Sequence, residues 1–131
     1  MAHVSEIRGD QLVTVRVPAE ATAGNADSWS VWRASAKATV TGIRWIPDTV
    51  VTGAATNNFA IAVNNITTPG VVAVAKTYAA ATNSVANVAE SLTIGAAPVV
   101  NAGDVLALVR TVNGTGLASP TGAVEVSYRW A

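Results

Sequence analysis

Apolar and polar residues alternate along much of this chain with a period of two, the pattern of β-strands that bury one face. The clearest example is the segment 123–130, in which every second residue from Val124 to Trp130 is a large apolar one. Before it, residues 105–112 form a nearly continuous apolar run that follows an Asn-Ala-Gly-Asp turn signal. The two segments predict two strands joined by a loop rich in Gly, Thr and Pro.

The same reasoning predicts five further strands, at residues 11–17, 37–46, 58–64, 71–78 and 88–94. In the 37–46 strand the apolar positions change phase at Gly42, and a glycine at a phase change predicts a β-bulge.

Two stretches are less regular. Residues 73–92 are rich in Ala and could place their apolar side chains on one helical stripe, but the β-branched flanks and the Asn83-Ser84 interruption favour strands. Residues 19–32 mix small and polar residues with Trp29 and Trp32, and leave room for a short extra strand.

Taken together, these patterns predict an all-β fold: a single β-sandwich, jelly-roll-like, of about seven to eight antiparallel strands. We expect a flexible N-terminal segment at residues 1–10 and the β-sandwich domain at residues 11–131.

Composition supports this fold and narrows the function. The 21 Val and 15 Thr residues are β-branched and suit a pleated sheet. Eight basic and eight acidic residues give a net charge of zero, without the basic stripe that binding to nucleic acid requires. No apolar run reaches the length of a membrane span, and no signal peptide is visible, so we expect synthesis in the cytosol. The low charge has two interpretations, an ordinary low-charge globular protein or a protein that is permanently packed against others, and we favour the second.

The candidate chemistry is sparse. The chain has no Cys and one His, the terminal His3, so catalysis by a Ser-His-Asp or Cys-His arrangement is not expected. Asp48 and Asp104 lie in turns, where Asp commonly bonds to nearby backbone, and Glu125 alternates outward on a strand. No metal-binding motif is present. We therefore expect no enzyme activity, no catalytic residue, no cofactor and no metal.

The four tryptophans are the strongest individual features. Trp45 and Trp130 fall on apolar strand faces and are expected in the core. Trp29 and Trp32 have two interpretations: they fold back over one end of the sandwich, or they anchor a contact with another protein, where Trp is enriched. Together with Arg33 they are the candidate interface residues.

Several stretches form an ordered set of motifs along the chain. Residues 40–48 form a strand that ends in Pro-Asp, and residues 51–57 contain a Thr-Gly turn and a Thr-Asn pair. Residues 59–64 form a strand that ends in Asn. Residues 101–106 (Asn-Ala-Gly-Asp-Val-Leu) and 114–126, with their Gly-Thr-Gly-Leu-Ala-Ser-Pro-Thr-Gly loop, complete the set. In this order the stretches resemble the jelly-roll decoration or minor capsid proteins of tailed bacteriophages. The chain departs from the family pattern at two positions of that loop, where the family usually has Asp and Gly.

The resemblance implies a structural decoration (cement) protein on the outer capsid surface of the virion, which binds the major capsid protein and bridges neighbouring subunits. It also implies self-association as a trimer or a dimer on the shell, with no nucleic acid or membrane as a partner. The alternative is a non-enzymatic binding module, such as a phage fibre, a tail protein or a carbohydrate-binding β-sandwich, which would show a solvent-facing aromatic platform.

Overall fold

The computed structural model describes residues 9–131, and within that range it contains nine β-strands and no helix. The strands are β1 (Gln11–Val17), β2 (Asp27–Arg33), β3 (Ala38–Pro47), β4 (Asn58–Asn65), β5 (Gly70–Thr77), β6 (Glu90–Leu92), β7 (Val99–Val100), β8 (Val105–Asn113) and β9 (Gly122–Trp130). It follows that no helix between residues 9 and 131 is long and apolar enough to cross a membrane. Residues 1–8 of the expected flexible segment 1–10 lie outside the described residues.

The strands form two antiparallel sheets. One has the order β1-β9-β3-β6, with β7 also paired to β3, and the other has the order β2-β8-β4-β5. Apart from the β4–β5 hairpin and the short step from β6 to β7, each connection passes from one sheet to the other. This is the double Greek key of a jelly roll, so the predicted all-β sandwich is confirmed.

Nine strands are present where about seven to eight are expected, because one strand position is split between β6 and β7. β6 pairs with β3 at Ile43–Trp45, and β7 pairs with the same edge of β3 at Ala38–Thr39. Between them the chain leaves β3 and bonds to the other sheet: Val74 N–H donates to the Thr93 carbonyl, and Gly95 N–H donates to the Val72 carbonyl. The strand predicted at residues 88–94 is therefore shortened to β6, and residues 93–97 cover part of the edge of β5.

The structure also defines the stretches whose pattern was less regular. The predicted bulge at Gly42 is confirmed, because the pairing register of β3 and β9 shifts between Val40 and Gly42. Residues 73–92 contain no helix, and the extra strand that residues 19–32 left room for is β2, with seven residues.

The core lies between the two sheets. Its largest fully buried apolar side chains are Trp45, Tyr78, Phe59, Ile43, Leu106 and Leu108. Trp45 is 2% exposed, as expected, whereas Trp130 is half-buried at the margin of the core. The core is packed tightly around Trp45: a Cβ atom at Gly122 would lie 2.5 Å from the Trp45 ring.

The loops collect at the two ends of the sandwich. Residues 18–26, 48–57, 78–89 and 114–121 form one end, joined by backbone bonds between Glu20 and Ser119 and between Val51 and Ser84. We call this the four-loop end. Residues 34–37, 66–69 and 101–104 form the opposite end, the three-loop end, where Ala34 N–H donates to the Asp104 carbonyl at 2.9 Å.

Candidate interaction surface

The three candidate interface residues lie on β2, an edge strand of the four-stranded sheet. Trp29 pairs with Leu108 and Trp32 pairs with Leu106, and the register shifts between Ser30 and Trp32. In a regular strand two residues three positions apart face opposite sides. Because the bulge inserts one extra residue, both tryptophans are half-buried and pack against the core.

Trp32 has a partner from the opposite sheet. Its ring stacks on Tyr128 of β9 with 4.4 Å between centroids and 29° between planes. Tyr128 in turn meets Trp130 edge to face, with centroids 5.0 Å apart. We call Trp32, Tyr128 and Trp130 the aromatic cluster. Each ring is half-buried, so the cluster joins the two sheets on its inner side and leaves aromatic surface on its outer side.

Arg33 does not share the orientation of the tryptophans. It is the last residue of β2 and is exposed. Its guanidinium lies over the turn before β8: Nη2 is 3.6 Å from the position that a Cβ atom would take at Gly103. The structure thus puts the three candidate residues on one strand, with two side chains against the core and one cation directed over the three-loop end.

Asp104 organises the three-loop end. Its carboxylate accepts hydrogen bonds from Asn101 N–H at 2.9 Å, from Asn65 Nδ2 at 2.9 Å and from Thr68 Oγ1 at 3.1 Å. The Asn101 N–H, followed by the Asn65 amide, holds the pKa of Asp104 below its usual range. The turn role expected for Asp104 is therefore present, and it extends to the β4–β5 loop.

At the four-loop end, the first loop wraps around a buried arginine. Arg110 is fully buried; its Nε donates to the Asn25 carbonyl at 3.0 Å and its Nη2 donates to the Ala23 carbonyl at 2.8 Å. The guanidinium also lies 4.7 Å from the Phe59 ring centroid. Burial lowers the pKa of Arg110, while nearby Glu20 and Asp27 act in the opposite direction.

Sequence reasoning did not bring Glu20 and Asp27 together, but the fold does. The interaction between the two carboxyl groups raises the pKa of Asp27 and lowers the pKa of Glu20. Among the described residues, no group of three or more His, Cys, Asp or Glu is placed to hold a metal ion.

The four-loop end also exposes apolar side chains. Val50 is 62% exposed on the β3–β4 loop, and Val85 and Val88 are 63% and 50% exposed on the β5–β6 loop. Backbone pairing of Val51 with Ser84 joins these two loops. We call Val50, Val85 and Val88 the valine patch. Grouped exposed apolar side chains are a common feature of surfaces that contact other proteins.

A network of polar side chains links the β5–β6 loop to the strands on either side of it. Ser84 Oγ donates to the Tyr78 hydroxyl at 2.7 Å, and that hydroxyl donates to Glu90 Oε2 at 3.1 Å. Lys76 Nζ pairs with the same oxygen at 2.6 Å. Burial raises the pKa of Tyr78 well above its usual range, so the hydroxyl stays protonated and serves as a structural hydrogen-bond donor.

A shallow cleft lies where the chain leaves β3 between β6 and β7. Its polar lining comes from Asp10, Thr41, Arg44, Ser91, Glu125 and Ser127. Arg44 and Glu125 form an ion pair at 3.2 Å. The side chains that line it include no aromatic ring, so this cleft lacks the stacking platform that a carbohydrate-binding sandwich would present.

No protein-family model and no curated protein sequence matches this chain. Among solved structures, a chain of the cyanophage Pam1 capsid asymmetric unit superposes with a TM-score of 0.57 at 17% identity. The match covers 94% of this chain and 84% of that chain, so the two chains have similar lengths and share the jelly-roll fold.

A chain from the structure of infectious bursal disease virus Gx strain matches at a TM-score of 0.39 and 8% identity, over 92% of this chain and 32% of that chain. Such a score does not establish a common fold.

Sequence reasoning missed three parts of this surface. It placed Tyr128 on the apolar face of its strand but gave no reason to pair it with Trp32. The valine patch depends on the contact between two distant loops. Arg110 did carry a usable signal, since it follows Leu106 and Leu108 at a spacing of two and therefore points inward.

Proposed function

We propose that this chain is a structural capsid decoration (cement) protein that binds the outer surface of a phage head and bridges neighbouring capsid subunits. One observation carries the proposal: over 94% of its length the chain has the fold of a similarly sized chain in a cyanophage capsid asymmetric unit. The order of the turn motifs in residues 40–126 agrees with it.

The surface chemistry supports binding to protein rather than catalysis. The chain offers half-buried aromatic rings on β2 and β9 and exposed valines at the four-loop end. Aromatic residues are enriched in the central part of protein interfaces. We assign Trp29, Trp32 and Arg33 to the contact with the major capsid protein or with a neighbouring copy.

Bridging would come from repetition rather than from one strong contact. A shell presents the same binding site many times, and a protein attached at two or more points is retained far more strongly than each contact alone allows. A rigid sandwich suits this task because its loops stay in fixed relative positions. Self-association on the shell, as a dimer or a trimer, would add further attachment points.

The test is occupancy of purified heads. We expect the protein to co-purify with intact heads at a copy number that matches the capsid lattice, and to rebind to heads from which it has been removed. Its absence from virions would overturn the proposal. Binding of the isolated protein to a glycan, without binding to heads, would favour the alternative binding-module function.

The interface residues need variants that keep the fold. Arg33→Gln removes an exposed charge and should lower occupancy on heads. Arg44→Gln is the matched control, because Arg44 is also exposed but lies on β3 of the other sheet. Equal occupancy of the two variants, at the wild-type level, would remove Arg33 from the interface.

A further inference from the structure

The edge strands of the two sheets differ in how they are protected from pairing with another strand. An exposed edge strand offers unpaired N–H and C=O groups to any other strand, and proteins commonly block it with a bulge, a covering loop or a very short strand. β2 carries a bulge between Ser30 and Trp32. The edge of β5 is covered at Val71–Val74 by residues 93–97. β6 and β7 are only three and two residues long.

β1 has none of these devices. It runs for seven residues, Gln-Leu-Val-Thr-Val-Arg-Val, in unbroken register with β9, and it contains no Pro and no Lys. Among the described residues no strand pairs with its second edge. Its three Val and one Thr are strong strand formers, and Leu12 on its outer face is 59% exposed. Within residues 9–131 the edge is therefore long, regular and open.

The charges beside β1 are directed away from this edge. Arg16 pairs through Nη1 and Nη2 with the carboxylate of Asp48, which follows β3 on the far side of β9. At the other end, Asp10 pairs with Arg129 of β9 at 2.7 Å. Both ion pairs lie over the sheet, and each charge in them has an opposite charge as its partner. These four residues therefore do not repel a strand that approaches the free edge of β1.

We propose that β1 pairs antiparallel with β1 of a second copy of this chain, about a two-fold axis at Thr14. In this register Thr14 faces its own symmetry mate, Val13 faces Val15, and Leu12 faces Arg16. Like charges do not meet, because the residue opposite Arg16 is the apolar Leu12. The alternation of β1 is kept in the pair, so each sheet continues into its partner with the same faces inward and outward.

This pairing favours a dimer over a trimer, the two forms of self-association that the resemblance implies. An antiparallel contact between identical strands is isologous and closes with two-fold symmetry, whereas a trimer requires a different patch on each side. One strand pair buries less area than a stable protein interface needs, so we expect a weak dimer that dissociates on dilution. The proposal does not depend on capsid binding, and self-association is measured without capsids.

The experiment is sedimentation velocity of the purified full chain over a concentration series, with the wild type, Thr14→Lys, Thr14→Glu and an equimolar mixture of the two variants. Thr14 is exposed on the outer face, so both substitutions leave the core untouched. Within its own sheet Thr14 faces Glu125, so Thr14→Lys, which meets an opposite charge there, is the variant that decides. Each variant alone should dimerise at least about five-fold more weakly, because like charges then stand directly opposite. The mixture should dimerise at least as strongly as the wild type, since Lys then faces Glu.

Thr111→Lys is the control, an exposed threonine of the other sheet on β8, and it should leave the dimer unchanged. A wild-type protein that stays monomeric at its highest soluble concentration would overturn the proposal. So would a trimer, a Thr14→Lys variant that dimerises like the wild type, or a mixture with no recovery. Binding of monomeric Thr14→Lys to heads would leave the proposed function standing while identifying what the dimer adds.

Discussion

The ring of Trp32 stacks on the ring of Tyr128 across the sandwich, with centroids 4.4 Å apart. The two residues belong to different sheets, on β2 and β9, so the stack is a contact between the layers of the fold. Both rings are half-buried. The same pair therefore stabilises the sandwich and forms part of its aromatic surface, and any test of its role in binding has to account for its role in folding.

We expect Trp32→Ala to lower the free energy of unfolding by about 2–3 kcal/mol. A stacked aromatic pair contributes about 0.5–1.5 kcal/mol beyond its burial, and removal of a half-buried ring also loses apolar contact. Trp32→Phe keeps a ring over Tyr128 and should lose less than half as much. Urea denaturation measures both, with Ile66→Ala as an exposed apolar control. A Trp32→Ala variant within about 0.5 kcal/mol of the wild type would contradict a structural stack.

Gly122→Ala should destabilise the protein by about 1–3 kcal/mol, the usual cost of an overpacked core. A Cβ atom there would lie 2.5 Å from the Trp45 ring and 2.7 Å from the Ile46 carbonyl oxygen. Gly42→Ala is the matched control, because a Cβ atom at Gly42 would meet nothing closer than the Ser127 Cβ at 3.7 Å. Thermal denaturation of the two variants decides the point. Equal losses would mean that the space around Trp45 is not limiting.

The strands that sequence alone predicted well are those whose own residues alternate along the chain. β9 and β4 alternate in this way, and Gly42 marks its bulge by a local change of phase. These features are encoded in neighbouring residues, which is the range that alternation reports.

The parts that could not be predicted depend on distant segments. β2 looks irregular because its bulge places Trp29 and Trp32 toward the same side. β6 and β7 are separate because residues 93–97 bond to β5. The aromatic cluster and the valine patch each join segments far apart in the chain. A pattern search along one strand carries no information about such contacts.

We expect Arg110→Met to cost about 2–4 kcal/mol. The substitution removes the two hydrogen bonds that the guanidinium donates to the carbonyl groups of Ala23 and Asn25. A hydrogen bond to a charged group contributes about 1.5–3 kcal/mol, and less where the partner is exposed, as Asn25 is. Hydrogen exchange should increase in residues 20–27, the loop that wraps around the guanidinium. Arg44→Met, at an exposed ion pair, should change stability by less than about 1 kcal/mol.

The opposite outcome for Arg110 has a clear physical meaning. Replacement of a buried charge by an apolar side chain of similar volume is neutral or stabilising in some proteins, because the desolvation cost disappears. A variant as stable as the wild type, with unchanged exchange in residues 20–27, would show that packing alone holds this loop.

The contribution of Asp104 to the stability of the three-loop end should depend on pH. The pKa of Asp104 is lowered in the folded protein by the N–H of Asn101 and the amide of Asn65, and an unfolded Asp has a pKa of about 3.9. A lowered pKa contributes stability that is fully present above the unfolded value and is lost as pH falls through the folded value. Asp104→Asn should therefore melt below the wild type at pH 7, and the difference in Tm should narrow as pH falls below about 4.

Asp10→Asn, at an exposed ion pair, serves as the control and should show a small difference in Tm from the wild type at pH 7. A difference for Asp104→Asn that stays constant from pH 7 to about pH 3 would mean that the side chain acts through its shape and hydrogen bonds rather than through its charge.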